Sequence, residues 1–192
     1  MAETIRWIGG AAAVAQVDDF TPSDPAQNDT ITLTATGENG DTVALVYTAT
    51  ATHTVPASIA GMVALWNAST HYLCTPITAS DATTTIKLTA DTPGVPFSVV
   101  PTCSAGTFTR AATTATSGPY DYNTALNWDL SRAPGTVALQ SIIIEDATIL
   151  YGLNQTASAE APYYVEINNS QISQNPATGR NPAYLFWDDA GQ

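Results

Sequence analysis

The stretch TITLTATGENGDTVALVYTATA, residues 30–51, decides the fold of this chain. Ile31, Leu33 and Ala35 alternate with Thr30, Thr32, Thr34 and Thr36, so the apolar side chains share one face of a strand and the hydroxyls the other. Gly37-Glu38-Asn39-Gly40-Asp41 then supplies residues that tolerate positive φ, and residues 42–51 return to β-branched and aromatic side chains. The pattern is that of a β-hairpin with one buried face, and it makes the expected fold class mainly β.

Toward the C-terminus, Thr54 is placed to cap a helix with Pro56 in its first turn, and Ile59, Met62, Val63 and Trp66 follow at i, i+3, i+4 and i+7. Strands are expected at 75–79 and 84–89 around the turn Ser80-Asp81-Ala82, and at 97–101 after Thr92-Pro93-Gly94. Hairpin, helix and strands together predict an α+β domain over 28–110, with one amphipathic helix on an antiparallel sheet. Residues 1–27 form an N-terminal arm with a strand at 12–17, and the small, aperiodic AATTATSG of 111–118 is expected to be a linker.

Residues 119–192 have another texture. A turn-rich stretch surrounds Trp128, and short β runs at 137–144, 148–150, 163–167 and 184–187 lie between turns rich in Asn, Pro and Gly. They predict a β-rich second domain, either a small short-strand β-sandwich or the first coils of a β-solenoid. No repeat of 20 to 50 residues stands out along the chain.

Composition narrows the function classes. Charged residues are 11% of the 192, Thr and Ala make up about a third, and 17 acids face Lys87 and four arginines for a net charge of −12. Such a chain is not expected to bind nucleic acid or anionic lipid, and copies that assemble must do so through backbone pairing and apolar contact. No run of apolar residues is long enough to span a membrane, and the N-terminus lacks the pattern of a secretory signal.

Chemistry-bearing patterns are sparse. His53 and His71 lack metal-ligand spacing, no serine sits in GxSxG, and the acid pairs Asp18-Asp19, Glu145-Asp146 and Asp188-Asp189 have no calcium-loop context. The protein is therefore expected not to be an enzyme and to carry no metal or cofactor. Cys74 and Cys103 lie near ends of neighbouring strands and are open to bridging or to staying free thiols. Trp7, Tyr184, Phe186 and Trp187 gather aromatic area near the chain ends, as local core or as candidate interface residues, while Trp128 is read first as pinning the turn over the second domain's core and second as a candidate glycan platform.

Two stretches resemble known proteins. Residues 30–99, with the turn ENGDT, the helix VPASIAGMVALWNA and the phrase ITASDATTTIKLTADTPGVPFSV, resemble a domain of tailed-phage structural proteins and phage-derived bacterial proteins. The opening TIRWIGGAAAVAQVD and the later SGPYDYNTALNWD, followed by ILYGLNQ, are similar to longer phage-encoded proteins whose Asn-Trp motif leads into extended β-structure. The resemblance implies a virion part made in the host cytoplasm, tail-associated or on the capsid. A small, acidic, Thr/Ala-rich β chain fits capsid decoration or another accessory role best, as a homo-oligomer, usually a homotrimer, meeting other virion proteins such as the major capsid protein. The alternative is a glycan-binding module of a phage or bacterial adhesin or tail fibre.

Overall fold

In chain order the elements are β1 (Thr4–Arg6), β2 (Val17–Pro22), β3 (Thr30–Thr36), β4 (Thr42–Thr48), α1 (Val55–Ala68), β5 (Ile77–Asp81), β6 (Ile86–Ala90), β7 (Ser98–Cys103), β8 (Phe108–Thr114), β9 (Ser141–Glu145), β10 (Thr148–Tyr151), β11 (Tyr164–Asn168) and β12 (Gln171–Gln174). The computed structural model describes residues 3–37, 39–51, 54–122, 124–134, 141–151 and 164–174. It divides into a unit of residues 15–116 and a unit made of residues 1–14 with 117–192. Among the described residues the chain is mainly β with a single α-helix, as the hairpin and helix patterns predict.

Residues 15–116 form two antiparallel sheets, ordered β5-β6-β2-β8 and β4-β3-β7. The predicted hairpin is there, with Thr30 opposite Thr48 and Thr36 opposite Thr42, and Ile31, Leu33 and Ala35 face inward. Those side chains share one apolar core with Phe20, Ile86, Leu88 and Val99 and with Ile59, Met62 and Trp66 of α1. Full burial of each large apolar side chain stabilises the unit by about 1.5–3 kcal/mol.

Helix α1 starts where the sequence places it. The Thr54 hydroxyl accepts from the Ala57 N–H at 3.2 Å, and Pro56 lies in the first turn. At its other end Trp66 Nε1 donates to the Ile77 carbonyl at 2.9 Å, and the Asn67 amide exchanges two hydrogen bonds with the Ala79 backbone at 2.9 and 3.0 Å. These bonds fix the helix to β5. A methyl group on Gly61 would run into the Tyr47 ring of β4, so the close approach of helix and strand requires glycine there.

Two expectations fail here for identifiable reasons. Residues 111–114 are not linker but the end of β8, which pairs with β2 at the sheet edge; only Phe108 of that strand is buried, so the rest shows no apolar period. Residues 15–22 are not part of an arm either. They enter β2, a central strand between β6 and β8, and the boundaries of this unit therefore fall near 14 and 117 instead of at 27 and 111. The inward position of β2 next to Phe20 is taken by a carboxylate, Asp18, which hid the alternation. Arg110 pairs with that carboxylate at 2.8 Å and Gln16 Nε2 donates to it at 2.8 Å, which offsets the cost of burial.

The other unit is parallel. Strands β1, β9 and β11 make one sheet and β10 and β12 a second, and each residue of β9 and β10 pairs with the residue 23 positions later, Ser141 with Tyr164 and Thr148 with Gln171. Of the two architectures expected for this region, the structure has the coils of a β-solenoid. The 23-residue repeat joins Ile142 to Val165, Ile144 to Ile167 and Ile149 to Ile172, a correspondence too short to stand out among two copies. Strand β1 adds a rung on the other side of β9, with Ile5 in register with Ile142.

Candidate functional site

The coils turn a corner between β9 and β10, and again between β11 and β12. Asp146 and Asn169 occupy equivalent corner positions at φ 48° and 46°, the left-handed region that Asp and Asn tolerate better than other side chains with a Cβ. Stacking puts the two corners in contact. Asn169 Nδ2 donates to Asp146 Oδ1 at 2.6 Å, the Asp146 N–H donates to the Asn168 carbonyl at 3.1 Å, and the Ala147 N–H donates to Ser170 Oγ at 3.1 Å. A polar ladder thus continues the strand pairing around the bend, and the register of one coil sets that of the next.

The rung of β1 is held by the Asn-Trp pair. Asn127 is fully buried; its Nδ2 donates to the Gly118 and Asp121 carbonyls, both at 2.7 Å, and its Oδ1 accepts from the Ala11 N–H at 2.9 Å. Its backbone carbonyl accepts from the Ile8 N–H at 2.7 Å. One side chain therefore ties the segments around residues 11, 118 and 121. Trp128 is fully buried beside it, with Trp7 and Tyr122 set edge-on at centroid distances of 5.1 and 5.0 Å and its Nε1 donating to the Tyr122 carbonyl at 2.9 Å. Glu3 and Arg132 form an ion pair in the same unit.

Trp128 therefore has no open face and is not a sugar platform; it pins the turn over a small core shared with Ile5, Ile142 and Ile144. Trp7, expected at an interface, packs edge-on against it and is half-buried. Tyr184, Phe186 and Trp187 lie outside the described residues, as do His53 and the Asp188-Asp189 pair. His71 stacks on Tyr72 at 4.9 Å and accepts from the Leu73 N–H through Nδ1 at 3.2 Å. Of the remaining acid pairs, Glu145 lies 3.8 Å from Arg6, an exposed pairing of little energetic weight, and Asp146 belongs to the corner ladder. Among the described residues no three His, Cys, Asp or Glu side chains gather as a metal would need.

Cys74 and Cys103 are free thiols and not a bridge. Cys74 is buried in the turn after α1, while Cys103 ends β7 opposite Ile31, so the two belong to different elements of the same core. Burial pushes the Cys74 thiol up from its ordinary value, with a smaller opposing effect from a hydrogen bond to Ser69. The Tyr72 hydroxyl donates to Asp41 at 2.7 Å, and that bond raises the tyrosine above its ordinary range.

The two sheets of the antiparallel unit present different outer faces. On the sheet containing β2, Asp19 stands opposite Lys87, and Asp91 accepts from Thr78 Oγ1 at 2.6 Å. On the other sheet, β3 turns its four threonines outward, β4 turns out Thr42, Ala44, Val46 and Thr48, and β7 turns out Ser98, Val100 and Thr102. In register these make rows such as Val46-Thr32-Thr102 and Ala44-Thr34-Val100. No charged residue interrupts them.

Sequence patterns predicted the strands of this face but not the corner ladder or the Asn127 knot. Asn127 sits in a turn-rich stretch, where an asparagine ordinarily serves its own turn. No protein-family model, curated protein or solved structure matches the chain.

Proposed function

We propose that the protein is a structural component of a tailed-phage virion, an accessory protein that acts as a homo-oligomer and contacts other virion proteins. The single observation that carries this reading is the in-register stack of β1, β9 and β11 beside that of β10 and β12, with its polar corner ladder. Parallel coils are a way to build a stiff elongated body from backbone hydrogen bonds, and the antiparallel unit supplies a module with its own core. The phage resemblance of residues 30–99 supplies the context. An accessory role on the capsid or the tail also fits the sparse charge of the chain, since surfaces that meet many copies gain from few lysines and glutamates. The burial of Trp128 takes one of its two platforms from the glycan-binding alternative, which also rested on the aromatics Tyr184, Phe186 and Trp187.

Light scattering behind size-exclusion chromatography, with negative-stain images of the same fractions, tests the oligomeric part. A homotrimer or larger discrete assembly is expected, and a monomer at every concentration reached overturns it. An antibody raised against the protein should label particles from the strain that encodes it. Labelling of cell material alone, with bare particles, overturns the virion assignment.

A further inference from the structure

We infer that the outer face of the β4-β3-β7 sheet is a contact between copies of this chain. The inference rests on the homo-oligomer proposed above and specifies one surface of it. Val46 and Val100 are 51% and 52% exposed on this face, on either side of the central threonines of β3. Two valines left half in water on the strands that flank β3 are apolar area that a partner would cover.

Charge selects the partner. Each copy carries −12, so two copies approaching through most of their surface set acid against acid. The Thr/Val face is where that repulsion is least, because none of its outward side chains is charged, whereas the outer face of the neighbouring sheet carries Asp19 and Lys87. A nucleic acid would need cations here, and a sugar would need an aromatic platform; the face has neither. Two such faces packed together would interdigitate short β-branched side chains, as sheets stacked face to face do.

Size sets the character of the contact. Three strands of six or seven residues give a footprint of about 14 by 24 Å, well below the roughly 800 Å² per partner of a standard stable interface. A contact of this size gains strength when many copies are held side by side. The β7 edge of the same sheet is blunted by Pro101, which has no N–H to offer, so contact through the face is favoured over strand addition at that edge.

Sedimentation equilibrium of the full chain tests the inference on wild type, Val46→Glu, Val100→Glu and the control Val95→Glu, whose valine is 43% exposed on a loop off this face. Circular dichroism melting of each variant confirms that it folds. The two face variants are expected to weaken association by about 100-fold, since like charges meeting across a contact are costly, and Val95→Glu to leave it unchanged. Raising the salt concentration should strengthen wild-type association by screening the acids. Wild type that assembles while both face variants assemble equally well overturns this inference and leaves the homo-oligomer standing. Wild type that remains a monomer overturns both.

Discussion

The two units of this protein are stabilised in different ways. Residues 15–116 surround one large apolar core to which two sheets and a helix all contribute. The parallel unit has a small core of Ile5, Trp128, Ile142 and Ile144, and adds to it a buried amide knot and a repeating polar corner. The difference teaches where specificity resides in each. A core tolerates exchange of one apolar side chain for another of similar volume, whereas a buried amide with three backbone partners has no substitute of the same shape and bonding.

The largest effect is expected in the antiparallel unit. Trp66→Ala removes a fully buried ring and its bond to the Ile77 carbonyl, and should cost about 3–5 kcal/mol in urea unfolding. The loss should appear in the transition of residues 15–116; equal loss in both units would break the comparison. Next comes Asn127→Ala, which leaves the Gly118 and Asp121 carbonyls and the Ala11 N–H unpaired and should cost about 3 kcal/mol in the parallel unit. Trp128 fluorescence would shift to the red as water reaches the ring. Asn127→Asp keeps the acceptor for Ala11 but loses both donors, so it should not rescue the shift.

Smaller effects sharpen the contrast. Arg110→Ala leaves the Gln16 amide as the donor to the buried Asp18 carboxylate, and should cost about 1–3 kcal/mol after allowing for the partial exposure of Arg110. Asn169→Ala removes the contact to Asp146 and places a less tolerant residue at φ 46°; a loss of about 1 kcal/mol confined to the parallel unit is expected by hydrogen exchange at the corner. The smallest is a matter of pH. Cys74 is raised in the folded state, so its contribution to stability is full below the ordinary thiol range and is lost as pH climbs through the raised one. A thiol reagent at neutral pH should label Cys103 ahead of Cys74 in the native protein, and equal rates would contradict the burial of Cys74.

Legibility in the sequence followed the same division. The hairpin and helix of the antiparallel unit were readable because alternation in 30–36 and helical spacing in 59–66 record which side chains are buried. Strand β2 was displaced because Asp18 interrupts its pattern, and the end of β8 was missed because an exposed edge strand buries little. In the parallel unit the short β runs were readable, but not their pairing, since each strand of a parallel stack bonds to one from another coil.

The sequence by itself determined a mainly β chain with one helix, a hairpin at 30–48, and an acidic, sparsely charged surface, all properties of local pattern and composition. Tertiary structure decided that Thr4–Arg6 joins a sheet with residues 141–143, that coils stack with a 23-residue offset, that Trp128 is buried and that both cysteines stay free. It also set a charged outer face on one sheet against an uncharged one on the other. The reason is physical: periodicity reports whether a residue faces a core, whereas the partner it meets there, such as Ala11 for Asn127 across 116 positions, depends on how the whole chain closes.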